Sequence, residues 1–447
     1  MSEMQVGLLY LAATLLFMFS GMPIAFAVGG VALLFMLAFM PLAQIHIVAE
    51  TIYSELNNFT LLTIPLFIMM GAAIGKSRAG SDLYNSLNRW LHRVPGGLGV
   101  ANTLACSVFA AMCGSSPATC AAIGSSGIPE MRKRGYSNEL ATGIIGAGGT
   151  LGILIPPSLT MILYGLATEQ SIGKLFMGGV GPGILLTAMF CCWVMFAAWR
   201  ERREARAGRG HAASAGLLAV ERYTWRDRLA TLPRLLPFLL LILLVMAALY
   251  GGWATPSEVA GIGAFGALVL VVVIYGCWRW KDLKVILSGT ARESSMIMLI
   301  IAMSFLYTYV MSYLHITQSV AAWLVSLHMG KWEFLFWINM LLLVLGCLLP
   351  PVAIILMVTP VILPALKALN IDLVWFGAVL TINMEIGLLT PPMGLNLFVM
   401  NGIAPDIPLR DIMRGVMPFL LLMAIGILLL CVFPEIVMWL PNRYRGF

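Results

Sequence analysis

Charged residues are scarce in this chain. Only 11% of its 447 residues are Asp, Glu, Lys or Arg, whereas 60% are hydrophobic, and the mean hydropathy is +0.93. A soluble globular protein carries about 25% charged residues, because its surface must face water. The composition therefore excludes most soluble enzymes and regulators, and it predicts an all-α polytopic membrane protein surrounded by lipid.

Residue patterns that hold metals or perform catalysis are also missing. The eight cysteines form no C-x-x-C pair, no H-E-x-x-H occurs, and the five histidines fall in loops or at span ends. We therefore expect no transition-metal site. Residues 124–127 match the G-x-S-G of intramembrane serine proteases. A serine nucleophile needs a base, however, and no histidine lies mid-membrane, so we reject an enzyme.

Positive charge is concentrated between the apolar stretches. Five segments hold 22 of the 27 Lys and Arg residues: 76–95, 130–138, 200–234, 278–292 and 404–414. The positive-inside rule assigns such segments to the cytoplasm, which puts the N-terminus outside. The net charge of +7 is thus an orientation signal, and we expect no nucleic-acid partner.

Eight apolar stretches suit ordinary crossings, each of which needs about 20 residues. They lie near 5–20, 24–42, 59–77, 175–199, 233–250, 257–277, 289–313 and 415–434. Four other apolar stretches contain Gly and Pro in the middle and do not fit this template.

Two of the interrupted stretches, 95–129 and 334–366, carry no charge. The first breaks at Gly114-Ser115-Ser116-Pro117 and the second at Pro350-Pro351. Each leg has about 16 residues and spans about 24 Å, which is less than the hydrocarbon core of about 30 Å. Each stretch therefore suits a re-entrant hairpin that enters and leaves on one side. A pair of short ordinary spans is the alternative.

The other two interrupted stretches, 140–168 and 374–404, predict single crossings broken halfway. The first is interrupted at 148–152 and at Pro156-Pro157, and the second at Gly387 and 390–392. Proline removes a backbone donor and clashes with the preceding turn. Freed backbone groups cannot face lipid, so these breaks must be buried or line a cavity.

The interrupted stretches recur at a lag of 235 residues. Gly152 corresponds to Gly387, and Pro156-Pro157 corresponds to Pro391-Pro392. Each half then contains five crossings, a short amphipathic helix and a hairpin; five is odd, so the halves are inverted. This is the architecture of secondary transporters that bind substrate at the midplane. The predicted domains are a first repeat, a basic linker and a second repeat: 1–199, 200–232 and 233–447.

The breaks suit an anion and a small cation together. Helix N-termini aimed at the centre attract an anion, while unwound carbonyls near 148–150 and 387–390 can bind Na⁺. Hydroxyls in membrane helices often only satisfy nearby carbonyls, which is the alternative for each one. The uncharged side chains that we expect to contact substrate are Ser115, Ser116, Thr119, Thr390 and Asn396.

Glu385 is the one ionisable residue inside the four interrupted stretches. An intramembrane carboxylate is costly and is by default a functional candidate. It could couple protons or bind a cation. A structural role, in which it caps the unwound backbone, is the alternative.

Several motifs resemble the large membrane subunit of TRAP transporters (DctM-type), from about residue 5 to 440. The segment 387–398 (Gly-Leu-Leu-Thr-Pro-Pro-Met-Gly-Leu-Asn-Leu-Phe) is similar to the family signature. So are 57–67, 114–119 and 149–158. The resemblance implies Na⁺-driven uptake of an organic anion across the bacterial inner membrane. It also implies an elevator, in which hairpins and broken helices slide against a scaffold of the other spans.

The resemblance further implies partners and a cation site. The partners are a periplasmic binding protein and a small four-helix membrane subunit, which we expect as a separate chain. A C4-dicarboxylate is the usual substrate, with sialic acid, sugar acids and other carboxylates as alternatives. The Na⁺ ligands carried over by motif are Gly114, Ser115, Gly149, Thr150, Gly387, Thr390 and Gly394.

One departure and one competing function remain. At the second hairpin tip, relatives often have an acidic residue followed by Pro and Thr, where this chain has Pro350, Pro351 and Val352. Because of this difference, the second tip lacks side chains that could bind substrate or cation, but its backbone groups could still do so. The competing function is a stand-alone Na⁺/dicarboxylate or citrate-type carrier of the same architecture.

Overall fold

The computed structural model describes residues 2–94, 96–206, 224–326, 329–392 and 394–443. Every regular element in these ranges is a helix. Seven helices are long and apolar enough to cross a membrane, judged by length and composition. The seven are Phe59–Lys76, Ile172–Glu204, Leu232–Tyr250, Pro256–Tyr275, Trp280–Tyr313, Pro351–Ala368 and Leu409–Val432. These helices confirm the predicted all-α membrane protein. The inverted repeats stay a prediction.

The first half of the chain forms ten helices. Before the first hairpin they are α1 (Glu3–Phe19), α2 (Ile24–Phe39), α3 (Ile47–Leu56), α4 (Thr63–Lys76) and α5 (Ala79–Leu91). From the hairpin onward they are α6 (Gly97–Cys113), α7 (Ser116–Lys133), α8 (Asn138–Thr150), α9 (Leu159–Thr168) and α10 (Ile172–Arg206).

The second half forms eleven helices among the described residues. The first five are α11 (Trp225–Leu229), α12 (Leu232–Tyr250), α13 (Pro256–Tyr275), α14 (Trp280–Tyr313) and α15 (Ile316–Ser326). The others are α16 (Lys331–Gly346), α17 (Pro351–Ala368), α18 (Leu373–Leu389), α19 (Leu395–Ile403), α20 (Leu409–Val432) and α21 (Glu435–Arg443).

The predicted interruptions appear as helix breaks. The first hairpin stretch is α6 and α7, the second is α16 and α17, and the broken crossings are α8–α9 and α18–α19. The helix α17 is itself long enough to cross, so re-entry stays a prediction. The helix α10 continues to Arg206, into the predicted linker 200–232, and α12 begins at Leu232. The central part of the linker, 207–223, lies outside the described residues.

Helix packing forms two groups. The peripheral group contains α2, α4, α12, α13 and α14, and the central group contains α6, α7, α8, α10, α18 and α20. Within the peripheral group, the Thr63 and Ser257 hydroxyls share a hydrogen bond of 3.0 Å. In the central group, α8 and α20 touch through backbone: a Cβ on Gly143 would lie 2.2 Å from the carbonyl oxygen of Gly415.

Exposed tryptophans mark both ends of the peripheral group. Trp253 precedes α13 and is 79% exposed, whereas Trp278 and Trp280 follow it and are 70% and 72% exposed. The outward faces of α12 and α13 are apolar, and Leu243 and Phe265 on them are exposed. An apolar surface bounded by indole rings is typical of a protein in contact with a bilayer.

Candidate functional site

The first hairpin tip packs against the first helix break. The helix α6 ends at Cys113, Gly114 has a φ of +61°, and α7 begins at Ser116. A Cβ on Gly114 would lie 2.7 Å from the carbonyl oxygen of Pro157. The left-handed backbone and the close approach both require glycine here. The tip is therefore fixed against the break between α8 and α9.

One hydrogen bond joins this tip to the second half of the chain. The Asn396 amide, in the first turn of α19, donates to the Ser116 hydroxyl over 2.8 Å. Both side chains are fully buried. The side-chain oxygen of Asn396, Oδ1, has no hydrogen-bond partner among the described residues. The structure thus brings together two predicted substrate residues from opposite halves and leaves one acceptor available.

Three predicted hydroxyls hydrogen-bond within their own helices. Thr119 donates to the Ser115 carbonyl over 2.9 Å. Thr150 donates to Ala147 and Thr390 donates to Ile386, each over 2.7 Å. Such bonds satisfy the hydroxyl proton and leave the oxygen lone pairs free to accept. These oxygens therefore remain capable of binding a cation.

The predicted unwinding near the glycines was wrong in position. The helix α8 continues through Gly148 and Gly149 to Thr150, and α18 continues through Gly387 to Leu389. These glycines serve close packing: a Cβ on Gly149 would lie 2.0 Å from the Cys120 sulfur. A Cβ on Gly387 would lie 2.6 Å from the Gly346 carbonyl carbon. The carbonyls of Gly149 and Gly387 accept hydrogen bonds from the N–H groups of Leu151 and Thr390. Each carbonyl oxygen has a second lone pair, which can still bind a cation.

The second hairpin tip contributes less to this cluster. Pro350 caps α17 without a side-chain hydrogen bond, Pro351 lacks an N–H, and Val352 is apolar. No hydrogen bond links 347–352 to the first hairpin in the part of the chain that the structure describes. Thr390 and Gly394 lie beside Asn396, and the Gly394 N–H donates to the Thr390 carbonyl over 3.2 Å.

Glu385 is enclosed in α18 without a polar partner. It is fully buried, and neither carboxylate oxygen has a hydrogen-bond donor among the described residues. It therefore caps no backbone group there, contrary to the structural alternative. A buried ionised carboxylate without partners is very costly, so this environment favours the protonated form or a bound cation.

Sequence reasoning missed two polar features. The Asn383 amide donates to the Asn339 side chain over 3.0 Å and joins α18 to α16. A cavity of about 500 Å³ beside the first hairpin contains Glu293, which lies inside a predicted span. The available signal in both cases was a polar residue inside an apolar stretch.

Comparisons with known proteins identify the family of this chain. The family described as "Tripartite ATP-independent periplasmic transporter, DctM component" matches residues 11–436. The C4-dicarboxylate TRAP transporter large permease protein DctM of Pseudomonas aeruginosa is 36% identical over 399 residues, covering 89% of this chain and 90% of the relative. The isethionate TRAP transporter permease protein DctMQ of Oleidesulfovibrio alaskensis is 33% identical, covering 95% and 64%.

A solved structure shares the fold. The Alcanivorax borkumensis YdaH transporter aligns with a TM-score of 0.60 at 17% identity, covering 89% of this chain and 90% of that one. The family consists of transporter permeases and not enzymes. This chain is therefore a multi-pass membrane protein that belongs to the DctM family, the large permease subunits of TRAP transporters.

Proposed function

We propose that this permease imports an organic anion together with Na⁺, after delivery by a periplasmic binding protein. The observation that carries the proposal is the buried hydrogen bond between Ser116 and Asn396, which joins the first hairpin tip to the second broken helix. Substrate contacts would come from Ser115, Ser116, Thr119, Thr390 and Asn396.

Na⁺ would bind on either side of this contact. Hard cations of this kind prefer oxygen ligands, and helix-end carbonyls and hydroxyl oxygens supply them here. Each half-site combines a hairpin tip with the end of a broken helix, as the packing of Gly114 on Pro157 and Gly387 on Gly346 supports. The proposed ligands are Gly114, Ser115, Gly149, Thr150, Gly387, Thr390 and Gly394.

The substrate would be a small carboxylate or a similar anion. The relatives' names specify a C4-dicarboxylate in one case and isethionate in another. Both are organic anions, which backbone N–H groups and helix dipoles can bind without a buried cationic side chain. We propose a C4-dicarboxylate as the first candidate to test.

Transport would use an elevator built on two inverted repeats, 1–199 and 233–447. The broken helices and hairpins would move, and the peripheral group would stay fixed. The moving part would also include α10 and α20, because both pack tightly on the central helices. This differs from the expectation that all unbroken spans belong to the scaffold.

The proposed assembly includes a small four-helix membrane subunit and a periplasmic binding protein, in a bacterial inner membrane with surrounding lipid. One relative, DctMQ, is longer than this chain, which covers 64% of it. A separate small subunit would account for the length difference here.

Reconstitution tests the function. The chain, its small subunit and its binding protein are placed in liposomes, and succinate uptake is measured with an inward Na⁺ gradient or with K⁺ in its place. We expect uptake only with Na⁺ and the binding protein. Uptake of free succinate without the binding protein would instead support a stand-alone carrier.

Labelling tests the elevator. Cysteines at Thr119 and Asn396 should change their accessibility to membrane-impermeant thiol reagents when Na⁺ and substrate are added. Labelling that is the same in all conditions at both positions would contradict the elevator.

A further inference from the structure

A cavity of about 500 Å³ separates the first hairpin from the peripheral group. The end of α4, the start of α5 and the N-terminal half of α14 line one side, and α7 lines the other. Three of its hydroxyls are Ser115 and Ser81, which are half-buried, and Ser125, which is exposed. The cavity therefore reaches a proposed substrate residue.

Three charged side chains line this cavity. Lys76 lies in the last turn of α4 and Arg78 caps α5, and both are exposed. Glu293 faces them from α14. None of the three forms an ion pair with another described residue. Two cations and one carboxylate give the cavity a net positive charge, and a cleft focuses that field.

The deep end of the cavity also favours an anion. Ser115 caps α7, but its side chain makes no capping hydrogen bond. The first N–H groups of a helix lack intrahelical partners and carry partial positive charge. The path therefore runs from one anion-attracting point, the start of α7, to another, the pair of cations at the mouth.

We propose that this cavity is the cytoplasmic vestibule through which the anion leaves the first hairpin tip. Lys76 and Arg78 draw the anion outward, and Glu293 offsets one positive charge so that the anion is not retained. The assignment rests on the proposed anion transport. The cytoplasmic side follows from the cationic segment 76–95, which contains both residues.

Charged thiol reagents test the vestibule without a known substrate. A cysteine replaces Ser125, which lines the cavity and is exposed. Inside-out and right-side-out vesicles receive methanethiosulfonate reagents bearing either a sulfonate or a trimethylammonium group. The labelling rate of the protein that retains Ser125 is subtracted from the labelling rate of the Ser125→Cys variant. We expect labelling only from the cytoplasmic side, with the anionic reagent favoured.

Charge variants then test which side chains cause the preference for the anionic reagent. Lys76→Gln with Arg78→Gln should lower the ratio of anionic to cationic labelling about tenfold at low salt, and Glu293→Gln should raise it about threefold. Lys281→Gln is the matched control, an exposed cation of another predicted cytoplasmic segment that does not line the cavity. It should leave the ratio unchanged.

Two results would overturn the inference. Labelling only from the outside would show that the cavity does not open to the cytoplasm. A ratio that responds to Lys281→Gln as much as to the double variant would mean that general surface charge, and not the vestibule, sets it. Failure of succinate uptake in the unmodified protein would instead count against the proposed function, because the labelling result does not depend on transport.

Discussion

The two hairpins share a helix–tip–helix arrangement but differ in their surroundings. Almost every residue of α6 is buried, whereas α16 exposes Phe336 and Trp337 by 56% and 58%. The first tip contacts α19 and the break after α8, while the second touches α18 through the backbone of Gly346. The helix pairs are therefore alike in outline, but the first is more fully enclosed by its neighbours than the second.

The largest expected effect comes from filling the equivalent glycines. A Cβ on Gly152 would lie 2.7 Å from the Ser115 carbonyl oxygen, and one on Gly387 would meet Gly346. Overpacking costs about 1–3 kcal/mol. We expect Gly152→Ala to lower the free energy of unfolding by about 3 kcal/mol and Gly387→Ala by about 1 kcal/mol, because the exposed hairpin can shift. Denaturation in mixed micelles measures both values.

Gly402→Ala is the control for these substitutions, because nothing lies within 4 Å of its Cβ position. It should change stability by less than about 1 kcal/mol. Equal losses for Gly152→Ala and Gly387→Ala would show that the two hairpins are equally confined.

A smaller effect is expected from the polar contacts of the hairpins. A double-mutant cycle with Ser116→Ala and Asn396→Ala should give a coupling of about 1 kcal/mol, because both groups are fully buried. The same cycle with Asn339→Ala and Asn383→Ala should give less, since Asn339 is half-buried. A coupling free energy near zero for Ser116 and Asn396 would show that their hydrogen bond does not stabilise the contact between the two halves.

The smallest effect on stability is expected at Glu385. Its carboxyl group has no donor partner among the described residues, so Gln can replace its protonated form with a change of less than about 1 kcal/mol. Transport by Glu385→Gln should nevertheless show altered Na⁺ or pH dependence. Unchanged dependence on both would exclude Glu385 from coupling.

Local chemistry allowed the helix breaks to be predicted. Gly114, Pro156-Pro157 and Pro391-Pro392 stop helices through their own backbone, so their positions can be inferred without knowing their neighbours. The short helices before the hairpins were also expected, whereas α3 and α21 were not.

The roles of Gly149 and Gly387 could not be predicted in the same way. Glycine in a helix can mark unwinding or close packing, and only the neighbouring Cys120 and Gly346 distinguish these possibilities. The cavity escaped prediction for a related reason, because Lys76 and Glu293 are far apart in sequence and share it only after folding.

The tryptophans at the two ends of α13 limit how the molecule can move. This helix has 20 residues and is about 30 Å long, which equals the hydrocarbon thickness of a typical bilayer. A vertical shift of one helical turn would carry Trp253 or Trp278 away from the interface that indole rings prefer. These rings favour a fixed depth for the peripheral group, so we expect any displacement across the membrane to be made by the central group.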